Sequence, residues 1–506
     1  MKYVKKKGDI CMYEVKVTGG IVSGALSGDG KIVSYKGIPF AAPPVGQLRF
    51  KRPQPPIPWQ GVRECLNFSK SAQQEHQSPF MCWSKEFIID TSLGYSEDCL
   101  YLNVWTSTDV GETNKPVIVY IHGGGNNAGG ASCDVYDGEK IARKGCVYVS
   151  INYRVSALGF MAHPALSAEN DEHSSGNYAL LDQIAALKWV KDNIASFGGN
   201  PDNVTVAGQS AGAMDIHMLL HSPLSRGLFK RAMPMSFNPL GYKCPTLREQ
   251  EQKAVAVYGD ISADELRAMP CEELISRWSG LGPCSDGYVL PQSDDEGKER
   301  GFDLISGMVD GDISLFALLR TSGHGMADVK ITKDWYIDTI NKEFGDLAQE
   351  CLNLYPATED QNVEDAVAQL NVDSMIFNQF RLAQVYPNAN IWLYQFKHVM
   401  PGPEAEKWGA FHTADVPYWL GKLSTEREEW WTDYDRLLAE QMSDLLCAFA
   451  LSGVPAVSGL SKWDKFDSTA PACYEIGEDM HMYHMDASKL NFWQKFFASK
   501  DIGLLA

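Results

Sequence analysis

The chain has 506 residues, 44% of them hydrophobic and 22% charged, which is ordinary for a globular protein and wrong for a disordered or fibrous one. Its 64 Asp and Glu against 45 Lys and Arg leave a formal charge of -19, which disfavours nucleic acid and anionic membranes as partners. No apolar run approaches the ~20 residues of a membrane helix, and no apolar run follows the basic opening MKYVKKKGDICMYEV as a secretory signal requires. A cytoplasmic protein without a membrane span is therefore expected. Its 12 cysteines are scattered, with no Cys-x-x-Cys pair and no Cys/His cluster, and are expected as isolated buried thiols.

In chain order, strand-like and helix-like segments alternate through the first half, which argues for an α/β sheet. Val117–Ile121 is a short, continuous, β-branched apolar run, as a strand buried on both faces should be, and it leads directly into His122 and three glycines. Cys146–Ile151 is a second such strand. From Tyr178 to Phe197, Leu180, Leu181, Ile184, Leu187, Val190 and Ile194 recur at helical spacing, and Gly198 and Gly199 supply a stop. Val204–Ala207 is a strand ending at Gly208, and the stretch Ala211–Leu220 reads as a helix. Beyond residue 243 the pattern loosens, with helical stretches at Ala263–Trp278 and Trp335–Leu354, until the strand Ile391–Phe396. No repeat, low-complexity tract or linker divides the chain. Residues 1–506 are expected as one α/β domain in which 243–388 is an insertion that caps the sheet and shapes a pocket.

The chemistry concentrates where strand gives way to helix. Gly208-Gln209-Ser210-Ala211-Gly212 matches Gly-x-Ser-x-Gly, a weak pattern alone but a specific one between a β-branched strand and a helix. A serine on such a strained turn projects its hydroxyl above the sheet, and flanking side chains would collide with neighbouring backbone, so glycines stand there. The helix that follows aims its N–H groups at developing negative charge. His122-Gly123-Gly124-Gly125, at the end of a buried strand, can supply preorganised backbone donors for an oxyanion.

These residues resemble the type-B carboxylesterase family, the group of para-nitrobenzyl esterases, liver-type carboxylesterases and cholinesterases. Tyr35-Lys36-Gly37-Ile38-Pro39-Phe40-Ala41, Pro43-Pro44-Val45-Gly46 and Leu48-Arg49-Phe50 follow the family's opening. Glu97-Asp98-Cys99-Leu100-Tyr101-Leu102-Asn103-Val104 is similar to its second signature, and Asn152-Tyr153-Arg154, Gly176-Asn177-Tyr178 and Phe197-Gly198-Gly199-Asn200-Pro201 lead into the serine. The resemblance is dense from Thr18 to Ser236, thin through the insertion, and returns around His412 and at Ala448–Pro455. It implies an α/β-hydrolase fold: a large, mixed, mostly parallel sheet flanked by helices, with helical insertions capping the active site.

By the same resemblance, Ser210 is the nucleophile and His412, within Gly409-Ala410-Phe411-His412, the general base. The acid departs from the usual Glu: five residues past Gly307 stands Asp312, with Asp310 the rival. The oxyanion donors would be the amides of Gly124, Gly125 and Ala211, with His122 supporting that loop and Ser236 supporting the triad. Gln209 replaces a frequent Glu beside the nucleophile. Asn126 takes a commonly aromatic position, a change expected to alter the acyl side of the pocket. Ala72 stands where extracellular relatives place the cysteine that pairs with the one at Cys99, so Cys99 is expected as a free thiol, as in a bacterial or intracellular enzyme. The function implied is hydrolysis of small carboxylic esters through an acyl-enzyme on Ser210, with no metal or organic cofactor. A feruloyl or other aromatic-acyl esterase is the alternative within the fold. A non-catalytic, cholinesterase-like binding protein is the alternative outside enzymes.

Overall fold

In a computed structural model, which describes residues 2–7, 10–109, 113–240, 242–280, 282–312, 332–403 and 405–498, fourteen strands join in one sheet. Eight of them form its centre: β1 (Tyr101–Ser107), β2 (Lys115–Ile121), β3 (Val147–Ile151), β4 (Gly199–Gln209), β5 (Arg231–Met235), β6 (Asp303–Val309), β7 (Asn390–Phe396) and β8 (Ala472–Ile476). Their spatial order is β1-β3-β2-β4-β5-β6-β7-β8, and every neighbouring pair except β1 with β3 is parallel. Antiparallel strands finish both edges: Ile10–Val17, Gly20–Leu26 and Ile32–Pro39 beyond β1, and Met480–His484 beyond β8.

Parallel strands buried on both faces need covering on both, and β2 shows how the two cores divide. Its successive side chains point opposite ways. Val117, Val119 and Ile121 enter one core with Leu180, Ile184 and Leu187 of helix α1 (Tyr178–Asn193) and Ile216 and Leu219 of α2 (Ala211–His221). Ile118 and Tyr120 enter the other with Leu438, Met442 and Leu446 of α4 (Asp433–Ser452). A third helix, α3 (Val363–Phe380), packs with the first of these cores. The result is the helix–sheet–helix sandwich of an α/β-hydrolase. Among the described residues no helix is long and apolar enough to cross a membrane.

Several expected elements hold with shifted ends. The helix expected over 178–197 runs to Asn193, turns tighter over Ile194–Phe197, and stops at Gly198 with φ 86°. The strand expected at 204–207 extends to Gln209. Two expected helices are broken. Ala263–Ala268 and Cys271–Arg277 are separated at Pro270, whose ring cannot continue a helix. Lys333–Phe344 and Ala348–Leu354 are separated at Gly345, with φ 52°. The stretch 243–388 is not wholly peripheral, because β6 lies within it as a central strand. Eleven cysteines are buried free thiols, Cys99 among them, and burial pushes the Cys99 thiol up; the side chain of Cys11 lies outside the description.

Candidate active site

β4 ends at Gln209 and α2 begins at Ala211, so Ser210 stands alone on the turn with φ 58° and ψ -122°. That conformation costs a non-glycine residue ~1–3 kcal/mol and persists only where surroundings dictate it. Here they do. The Ser210 N–H donates to the Met235 carbonyl of β5 at 2.9 Å, and its own carbonyl takes the Met214 N–H at 3.0 Å. A Cβ at Gly208 would meet the Ile121 carbonyl oxygen at 2.6 Å, and one at Gly212 would strike the same oxygen. The glycines of the motif are therefore required by the approach of β2.

β2 delivers the glycine loop to the same place. A Cβ at Gly123 would lie 2.6 Å from the Gln209 carbonyl oxygen and 3.1 Å from the Ser210 Cβ. Gly124 and Gly125 have φ of 114° and 63°, and the Gly124 carbonyl accepts from Asn127 N at 3.1 Å and Ala128 N at 3.0 Å. His122 braces the loop as expected. Its Nδ1–H donates to the Gly123 carbonyl at 2.8 Å, and its ring stacks on Tyr153 at 4.2 Å. The Tyr153 hydroxyl in turn donates to the His122 carbonyl at 2.6 Å. Burial draws the His122 imidazole down to about 4, so it is neutral.

Asp312 and His412 arrive on two loops joined to each other. Gly311 N–H donates to the Ala410 carbonyl at 2.8 Å, and a Cβ on Gly311 would stand 2.7 Å from that oxygen. This glycine lets the loops close. Asp312 then accepts from His412 Nδ1 at 2.5 Å, both side chains being buried. Asp310 turns the other way and accepts from Gln395 Nε2 at 2.7 Å, and burial pushes its carboxyl up to about 6. Geometry therefore favours Asp312 as the partner of the imidazole. Burial lowers the His412 pKa, but the charge and hydrogen bond of Asp312, with Asp415 behind, more than offset it, and the net direction is upward. Trp83 packs edge-on to the ring at 6.4 Å and donates its indole N–H to Thr413 Oγ1 at 2.7 Å.

Three residues near the serine make arrangements that the sequence did not show. Gln209 is buried, and its Nε2 lies 3.1 Å from His412 Nε2. With Nδ1–H given to Asp312, Nε2 is the basic nitrogen and the amide must donate to it. Among the described residues that is the hydrogen bond at Nε2, and none from the Ser210 hydroxyl is formed. Ser236 lines the cavity with its hydroxyl buried and, among the described residues, without a hydrogen-bond partner, so no bond to the triad supports the role expected for it. Asn126 is buried with φ 59° and, instead of lining the cavity, donates from Nδ2 to Asp215 Oδ1 at 3.2 Å. Asp215 was not foreseen, although an Asp between Met214 and Ile216 on an apolar helix is itself a signal. Its other oxygen accepts from Gln183 Nε2 at 2.5 Å, and burial pushes its carboxyl up to about 7.

Ser210, Asp312 and His412 line one cavity of about 440 Å³. Phe237, Phe344, Trp493 and Phe496 form its apolar wall, while Asn238, Asn371, Ser374 and Asn378 add neutral polar groups. Among the described lining residues the only ionisable side chain besides Asp312 and His412 is Glu343. A serine hydroxyl and a carboxylate-oriented imidazole on one cavity, with a glycine loop packed against the serine turn though Gly124, Gly125 and Ala211 are not among the cavity's lining residues, suit acyl transfer.

Residues 12–493 match the model of the carboxylesterase family. The chain is 36% identical over 473 residues to the fumonisin B1 esterase of Sphingopyxis macrogoltabida, covering 88% of this chain and 84% of that one. It is 30% identical over 498 residues to the para-nitrobenzyl esterase of Bacillus subtilis (strain 168), covering 92% and 95%. It is also 27% identical over 541 aligned residues to the acetylcholinesterase of Electrophorus electricus, covering 92% and 84%. With a match across nearly its whole length, the chain belongs to the carboxylesterase family and is a carboxylic-ester hydrolase.

Proposed function

We propose that this chain hydrolyses small, uncharged carboxylic esters by two-step acyl transfer on Ser210, acting as a single catalytic unit whose 243–388 helices cap the site. His412 Nε2 exchanges its Gln209 contact for the Ser210 hydroxyl and takes the hydroxyl proton as Oγ attacks the ester carbonyl. The oxyanion rests on the amides of Gly124, Gly125 and Ala211, and Asp312 holds the imidazolium. Collapse breaks the bond to the alcohol oxygen, which leaves with the His412 proton. Water then repeats the sequence on the acyl-enzyme, releasing the acid and restoring the serine. No step calls for a metal or an organic cofactor.

The observation that carries this reading is the 2.5 Å contact between Asp312 Oδ1 and His412 Nδ1 at the cavity that Ser210 also lines. The preference for uncharged esters follows from a described lining that contains no Lys or Arg and one carboxylate, Glu343, outside the triad. The wall of Phe237, Phe344, Trp493 and Phe496 favours a second reading within it, that the substrate carries an aromatic acyl or alcohol group. A fluorophosphonate probe should label Ser210, and Ser210→Ala should lose both labelling and ester turnover. Label on another serine, with Ser210 unmodified, would remove the proposal. A series of matched alkyl and aryl esters, methyl ferulate among them, decides the second reading by kcat/KM.

A further inference from the structure

Asp215 is a buried carboxylate that the ester chemistry does not use. It lies on α2 five residues past Ser210, is fully buried, and has neutral amides and no cation as the groups acting on it. Burying an acid without a counter-charge costs stability, so an apolar residue would make a more stable helix here. What the carboxylate gains is two fixed hydrogen bonds, to Gln183 Nε2 of α1 at 2.5 Å and to Asn126 Nδ2 at 3.2 Å. Asn126 directly follows Gly125. Its carbonyl accepts the Ser156 N–H at 2.7 Å, and its backbone sits in the left-handed region that Asn tolerates.

The oxyanion loop is thus clamped at both ends, by His122 on Tyr153 before the glycines and by Asn126 on Asp215 after them. We propose that Asp215 is a positioning residue for ester hydrolysis, which through Asn126 holds the amides of Gly124 and Gly125 in register with the Ser210 turn. Ser210 caps the helix that carries Asp215, so nucleophile and oxyanion donors are both referenced to one rigid element. Gln183 occupies the second carboxylate oxygen and fixes the rotation of the group, which leaves Oδ1 aimed at the loop. The proposal rests on the acyl-transfer reading above, and fluorophosphonate labelling of Ser210 tests that reading separately.

Asp215→Leu keeps roughly the volume and removes both acceptors, so the bond from Asn126 is lost; Asp215→Asn would not serve, because the Gln183 or Asn126 amide could flip to present its unpartnered oxygen. Outright loss of an oxyanion donor costs ~10²–10³ in kcat, and a displaced one should cost less, about 10-fold here. The expected result is that fall in kcat for para-nitrophenyl butyrate, with KM moved by less than about 2-fold. Affinity for an aryl trifluoromethyl ketone, which adds to the serine as a tetrahedral oxyanion, should drop by the same factor. Asn126→Gly removes the Nδ2 donor, keeps the backbone free at positive φ, and should reproduce the effect whether or not Asp215→Leu folds. The double variant should be no worse than either single one, because both cut the same link. Three results would each overturn the proposal: kcat within about 2-fold of wild type in a folded variant, a loss of kcat with ketone affinity unchanged, or additive losses in the double variant.

Discussion

Replacing Gln209 by Glu perturbs one atom of the site and leaves its size unchanged. The Gln209 amide stands 3.1 Å from His412 Nε2 and donates to the neutral imidazole, which opposes the upward pull of Asp312 on the other nitrogen. A carboxylate in its place accepts instead, and so favours the imidazolium. Two unit charges ~4 Å apart interact by about 4 kcal/mol at an effective dielectric of 20. Gln209 is buried, so the new carboxylate must itself be ionised at a desolvation cost that cancels roughly half of this. The remaining ~2 kcal/mol raises the pKa of the imidazole by about 1.5 units. A general base must be neutral to work, so a raised pKa moves the ascending limb of kcat/KM to higher pH. Gln209→Glu should lose roughly 10- to 30-fold at neutral pH and recover as the pH rises by about two units. The assay is kcat/KM for para-nitrophenyl butyrate between about pH 5 and pH 10, since an uncharged ester reports only enzyme ionisations. An ascending limb that stays within about 0.3 unit of wild type would refute the contact between Gln209 and the base.

The two acid candidates separate cleanly: Asp312→Asn should cut kcat by up to ~10⁴-fold, as misorienting a catalytic imidazole does, and Asp310→Asn by far less. Reversed effects would mean that the acid sits two residues upstream. Gln209 also brings no charge to the leaving group, and the -19 of the whole chain is screened beyond ~8–10 Å. Butyrylthiocholine should therefore be hydrolysed no faster than an uncharged butyryl thioester of matched size, and Gln209→Glu should raise that ratio. A strong wild-type preference for the cation would place an aromatic cation site in the cavity. Away from the site, Arg154 reaches Asp182 with Nε and Nη2 at 2.7 Å each, both side chains buried. Arg154→Met strands the Asp182 charge and should lower stability by ~3–5 kcal/mol in urea denaturation; a loss below about 1 kcal/mol would contradict the pairing.

How much of this was legible depended on whether the signal was local. β2 and β3 declare themselves as continuous buried runs, and the nucleophile turn is written in five consecutive residues. β5 did not declare itself. It is Arg231-Ala232-Met233-Pro234-Met235, with an Arg and a Pro where a central strand should have neither. Its Pro234 stands opposite Gly208 in the parallel register, and the buried Arg231 pairs with Asp303 at 3.3 Å, so partners distant in sequence make the strand possible. Pro270 and Gly345 were visible breakers that the surrounding helical periodicity masked. At the site, the substitution Gln209 was legible but its contact with a histidine 203 residues away was not. The choice between Asp310 and Asp312 likewise turned on Gly311 meeting Ala410, a contact between loops that no local pattern encodes.

The strain in the site follows the sheet. Asn126, Ser210 and Ser236 follow the strands β2, β4 and β5, and all three hold positive φ without being glycine, at 59°, 58° and 55°. Each such residue costs ~1–3 kcal/mol, and persists because its neighbours hold it there. The ladder does so in steps: Ser210 N–H bonds to Met235 of β5, and Ser236 N–H bonds to Gly307 of β6 at 2.8 Å. Ser210 is thereby mounted on β5, and β5 on the strand that leads to Asp312. His412 has a different mounting. Its loop is joined to the acid by the Gly311 to Ala410 bond, its neighbour Thr413 has φ 86°, and Trp83 bonds to that threonine from a surface loop. The proposed nucleophile, acid and oxyanion loop are thus set by the sheet and its first helices, while the proposed base is set by loop-to-loop contacts and, at its reactive nitrogen, by Gln209 at the end of β4. That division is why a single amide beside Ser210 can govern the ionisation of the base without moving the rest of the site.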